Sequence, residues 1–156
     1  MAQSGFSGVS HNIGCYFGAE LCSLDVNSDG DTDFLLVGAP LFYQPKEKRE
    51  GQLHVYRLTT ELELRDEVKA SVSSMGRFGT SIASVTDLNG DRLRDVAVGA
   101  PLEDENKGAV YIFLGDGQKG IRSTFSQAIV GDMDLEDDEL PDIVIGSQGA
   151  AVVLRY

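Results

Sequence analysis

Apolar residues in this chain fall in short runs, and clusters of Gly, Pro, Asn and Asp separate them every eight to twelve residues. From Gly14 the pattern sharpens, and Ala19 to Leu24 reads as a short strand. Phe34 to Val37 is an apolar run that closes on Gly38-Ala39-Pro40. Residues 41–50, LFYQPKEKRE, are polar, carry a proline and read as a solvated hairpin tip. Gln52 to Leu58 alternates with a period of two, which suits a half-exposed strand and leaves His54 on the polar, outward phase. Residues 59–73 have a helical composition. However, Leu62 and Leu64 alternate and Val68 and Val72 are weak helix formers, so a strand and a loop are expected. The order then recurs: Thr80 to Thr86, Val96 to Val98 closing on Gly99-Ala100-Pro101, a polar loop at 102–108, and a strand at Ala109 to Leu114. A turn at 116–120, a short strand at Phe125 to Val130, an apolar run at Ile143 to Ile145 and a last strand at Ala150 to Leu154 complete the chain. Phe6, Val9 and Ile13 make either a weak edge strand or a frayed terminus.

Between the strands lie three acidic loops with oxygen side chains at alternate positions. The first is Asp25, Asn27, Asp29, Asp31 and Asp33. The second is Asp87, Asn89, Asp91 and Asp95, with Leu93 between, and the third is Asp134, Glu136, Asp138 and Asp142, with Leu140 between. Oxygen ligands in a tight loop suit a hard cation that takes six to eight of them, hence calcium, with two to three ions expected. An EF-hand is excluded, because its twelfth position must be a bidentate Glu and here it is Leu36, Val98 or Ile145, inside apolar strands. These are β-hairpin loops closed at the ninth position by Asp33, Asp95 and Asp142. The sixth position wants left-handed backbone. Gly30 supplies it freely, whereas Arg92 and Glu139 would each cost about 1 kcal/mol. In the third loop the longer Glu136 and the rigid Pro141 distort the pattern.

The units repeat at fixed spacing. Phe17 to Gly38 covers 21 positions, as does Phe78 to Gly99, and the two Gly-Ala-Pro triplets are 61 apart. Short strands at so long a fixed period predict stacked four-stranded blades: an all-β, partial β-propeller. The third unit is short. Gly99 to Gly146 is 47 positions, and Phe125-Ser126 stands where a Phe-Gly is expected.

The net charge of −12, from 25 acidic and 13 basic residues, argues against a nucleic-acid partner. No apolar run is long enough to span a membrane, and the first residues lack the pattern of a signal peptide. Cys15 and Cys22 lie on a stretch read as extended, about 23 Å apart, too far for a disulfide, and are expected to be buried free thiols. No nucleophile–base pair or phosphate-binding loop occurs, and the two histidines are not in metal-ligand spacing, so no catalytic residue is assigned and no enzyme is expected.

Phe17-Gly18 with Gly38-Ala39-Pro40, and Phe78-Gly79 with Gly99-Ala100-Pro101, each enclosing an acidic loop, resemble the FG-GAP repeats of integrin α subunits. The wording GCYFGAELCSLDV, GRFGTSIAS and GAPLEDENKGAVYIF is most similar to members with an inserted I domain, such as the leukocyte αL subset. The resemblance implies about three blades of a seven-bladed ring: 13–75, 76–124 and a shortened 125–156, after a poorly defined segment at 1–12. It further implies a cell-surface adhesion receptor that pairs with an integrin β subunit and meets cell-surface or matrix protein ligands through the full receptor. Calcium would stiffen the hairpin loops. The inserted domain's D-x-S-x-S metal motif is absent, so only the calcium ligands carry over. FG-GAP blades also occur beside the zinc domain of a phospholipase D, which makes an enzyme's accessory propeller the alternative, along with a non-functional partial isoform.

Overall fold

The computed structural model describes residues 14–46, 49–60, 64–72, 75–130, 143–147 and 150–154. The first sheet has four antiparallel strands in sequence order: β1 (Glu20–Leu24), β2 (Phe34–Gln44), β3 (Arg49–Leu58) and β4 (Leu64–Ala70). The second is built from β5 (Ser81–Val85), β6 (Asp95–Ala100) and β7 (Ala109–Phe113). A two-stranded hairpin, β8 (Gly115–Asp116) and β9 (Gly120–Ile121), follows, and β10 (Gln127–Val130) then pairs with β7 as the fourth strand of that sheet. A last antiparallel pair joins β11 (Ile143–Ser147) to β12 (Ala150–Leu154). These are antiparallel all-β blades, and the first two are complete four-stranded units.

Three sequence expectations change. The strand read from 34–37 runs on through Gly-Ala-Pro to Gln44, so the first four residues of the expected hairpin tip are strand instead. Pro40, which has no N–H to give, falls where the β2–β3 register shifts between Ala39 and Tyr43. His54 is not exposed: only 2% of it meets solvent. The reason is position, since β3 is an interior strand covered on both faces, and alternation reports exposure only where one face is wet. Phe17 and Tyr56 ring centroids lie 5.1 and 6.2 Å from the imidazole, and Phe42 adds a third ring. The strand at 127–130, read from the sequence at the head of the third unit, is instead the outer strand of the second sheet. The expected strand and loop within 59–73 is present as β4. Both cysteines are free, Cys15 buried and Cys22 half-buried.

The core lies between the two large sheets. Phe34, Leu36, Leu53 and Val55 from the first share one apolar cluster with Phe78, Ile82, Val96, Val98 and Phe113 from the second. Glycines set how closely the sheets approach. A Cβ on Gly38 would collide with the main-chain carbonyl of Gly79, and one on Gly51 would enter the backbone of Phe78, with which Gly51 forms a parallel bridge.

Candidate metal centre

Two acidic loops sit at equivalent places, one joining β1 to β2 and the other β5 to β6. Within each repeat a main-chain bond far from the loop closes the other end. The N–H of Gly18 donates to the carbonyl of Gly38 at 2.9 Å, and that of Gly79 to Gly99 at 3.1 Å. Phe-Gly and Gly-Ala-Pro are therefore the two strands of one hairpin, and their 21-residue spacing is the length of that hairpin with its loop.

Inside the first loop, Asp25 Oδ1 and Asn27 Oδ1 both accept from the N–H of Asp29 at 3.1 Å, and Asp25 Oδ2 accepts from Gly30 at 2.8 Å. Asp29 Oδ1 accepts from Asp31 N–H at 2.9 Å, and Asn27 Nδ2 donates to Asp29 Oδ2 at 2.8 Å. The second loop repeats this. Asp87 accepts from the N–H groups of Asn89, Gly90, Asp91 and Arg92, Asn89 Oδ1 accepts from Asp91, and Asn89 Nδ2 donates to Asp91 Oδ2. Asp91 Oδ1 takes the N–H of Leu93 at 2.9 Å. Two residues in each loop curl left-handed to allow it: Ser28 and Gly30 in the first, Gly90 and Arg92 in the second. Arg92 adopts the left-handed backbone expected of the sixth position, with φ of 69°.

The ninth-position carboxylates brace the loop bases. Asp33 Oδ2 accepts from Val26 N–H at 3.0 Å and Asp95 Oδ2 from Leu88 N–H at 2.8 Å. Asp95 is fully buried and its Oδ1 also takes the N–H of Gly115 at 2.8 Å, a contact no sequence pattern signals. The main-chain N–H donors hold Asp29 and Asp87 below the usual carboxylate range, chiefly Asp31 for the former and Arg92 for the latter.

The donor set is all hard oxygen, which fits calcium and not a thiolate- or imidazole-seeking metal. First- and third-position oxygens in each loop face the same amide, so they converge on one side of the turn. Among the described residues no three His, Cys, Asp or Glu side chains gather as a ready metal cluster. A cation in either loop would therefore draw on the side-chain oxygen of Asn27 or Asn89 besides the loop carboxylates. The third set, Asp134, Glu136, Asp138, Leu140 and Asp142, lies outside the described residues. A groove of about 270 Å³ at Pro40, Leu41, Pro101 and Leu102 is mostly apolar, with Arg77 as its charged group.

The FG-GAP repeat family matches residues 17–56 and 78–113, the two hairpins just described with their following strands. This chain carries two FG-GAP repeats and is similar over most of its length to integrin α subunits. It is 41% identical over 160 residues to integrin alpha-10 of Homo sapiens, with 91% of this chain and 14% of that protein covered. It is 40% identical to integrin alpha-D of Homo sapiens (92% and 14% covered) and 38% identical to integrin alpha-M of Mus musculus (92% and 14% covered). The FG-GAP chain thus spans about one-seventh of the length of these relatives. They are integrin subunits, not enzymes, and include members with an inserted I domain.

Proposed function

We propose that this FG-GAP chain forms part of the β-propeller head of an integrin-α-type adhesion receptor at the cell surface. In this reading it helps present the surface on which a β subunit pairs, and it does no chemistry of its own. The observation that carries the reading is the repeated unit itself: a Phe-Gly/Gly-Ala-Pro hairpin closed by a glycine–glycine main-chain bond, with an all-oxygen loop at its far end. High identity to integrin α subunits over nine-tenths of the chain supports it.

The loops are structural calcium sites. Asp25, Asn27, Asp29, Asp31 and Asp33 hold one ion; Asp87, Asn89, Asp91, Leu93 and Asp95 hold a second. Asp134, Glu136, Asp138, Leu140 and Asp142 are assigned to a third. The bound ion supplies positive charge that offsets the clustered carboxylates of a strongly acidic chain. The protein residues keep the turn curled and present their oxygens. Affinity in the range of extracellular calcium modules, about 10⁻⁴–10⁻³ M, would keep such loops loaded outside cells.

Calorimetric titration of calcium into the purified chain tests this, with thermal melts alongside. Two or three sites and a raised Tm are expected, and replacing Asp25 and Asp87 by Asn should remove one site each. Absence of binding at several millimolar calcium would sink the metal assignment.

A further inference from the structure

Arg94 joins the two described loops. Arg94, the eighth position of the second loop, donates its main-chain N–H to the carbonyl of Val26 at 2.8 Å and its Nε–H to the Ser28 hydroxyl at 3.0 Å. Both acceptors belong to the first loop. Ser28 has φ of 61°, and the amides that bind Asp25 and Asn27 follow it directly. Arg94 therefore grips the first loop at the strained residue from which its network of turns begins.

We infer that Arg94 is a positioning residue that couples the acidic loops of adjacent blades, so that order imposed on one loop is transmitted to the other. A left-handed non-glycine residue persists only where its surroundings hold it, and here the hold comes from the next blade. Ordering the second loop fixes Arg94, which fixes Ser28, which sets the oxygens of the first. By linkage the effect is reciprocal. The transmission of cation occupancy rests on the calcium reading above, whereas the transmission of order does not.

Two measurements on the full chain separate these. In EDTA, backbone amide order at Asn27 to Asp31 is followed by NMR relaxation. Arg94→Ala and Ser28→Ala should lower the order parameters of these amides from about 0.85 towards 0.6. Arg92→Ala, which removes the same charge from the same loop at an exposed residue, should leave them unchanged. Unaltered first-loop amides in Arg94→Ala and Ser28→Ala overturn the inference, and so does an equal loss in Arg92→Ala. In the second measurement calcium is titrated against the same amides. Disabling the second loop with Asn89→Ala and Asp91→Ala should weaken calcium at the first about fivefold, and the effect should vanish when Arg94→Ala is already present. First-loop affinity indifferent to the second loop overturns the coupling. If neither loop takes calcium, the metal reading fails and the EDTA comparison alone decides on Arg94.

Discussion

Ser28 and Arg92 sit in left-handed backbone with φ of 61° and 69°, at the fourth and sixth positions of their loops. Each loop spends its one glycine on the other of these positions, Gly30 in the first and Gly90 in the second. Arg92 thus carries strain that Gly30 avoids, and Arg92→Gly should stabilise the chain by about 1 kcal/mol while Gly30→Ala costs a similar amount. Urea melts of both variants check this, and equal midpoints for Arg92→Gly and the unaltered chain would refute it. His54 gives a pH dependence. Burial, helped by the Lys69 ammonium and opposed by Asp66, pushes its pKa down to about 4, and neither ring nitrogen has a partner among the described residues. The unfolded chain takes up the proton near the ordinary 6.5, whereas the folded one resists until about 4. Stability is therefore full above pH 6.5 and falls as pH drops from 6.5 to about 4, by up to roughly 3 kcal/mol. His54→Leu should flatten this slope. A Tm that is level between pH 7 and 5 in the unaltered chain would count against it.

The strand elements are held in place by glycine contacts that a side chain would break. Gly38 lies against the Gly79 carbonyl of the next sheet, so Gly38→Ala must push two backbones apart and should cost about 2 kcal/mol. Gly117, with nothing within 4 Å of an added Cβ, is the control, and Gly117→Ala should change stability by less than about 0.5 kcal/mol. Denaturant midpoints decide; a harmless Gly38→Ala would show that the sheets are not in tight register. The pairing of β10 with β7 also locates the shortfall of the third unit. Ala70, the end of β4, precedes Asp87 by 17 positions, whereas Val130, the end of β10, precedes Asp134 by four. The sequence missing there corresponds to the stretch that carries Phe78-Gly79 and β5 in the second unit.

Across the whole molecule the two sheets share one core, because Leu36, Leu53 and Val55 belong to the same cluster as Phe78, Val98 and Phe113. The β8–β9 hairpin adds to this: Gly120 packs on Phe34 and Val55 of the first sheet, and the Arg57 guanidinium of that sheet donates to the Gln118 carbonyl in the hairpin turn. Neither sheet can lose its packing alone, so the two should melt in one cooperative transition. Coincident far-UV and near-UV melting curves are the expected result. Two separated transitions would mean that the blades fold independently. The second sheet is less covered on its far face, where Val110 is 40% exposed, which is where alternation along β7 remains legible.

Sequence alone carried the repeat, the all-β class, the acidic loops and the exclusion of an EF-hand. Each depends on local chemistry: spacing within one hairpin, turn residues, and apolar strands at the twelfth position. Even the left-handed sixth position was readable, since backbone curl is a property of a short loop. Tertiary structure decided what depends on neighbours. His54 is buried because β3 is an interior strand, and β10 belongs to the second sheet because β7 offers it an open edge. Arg94 reads as one more charged loop residue until the second blade brings it to Ser28, because periodicity reports which way a side chain points and not what it meets there.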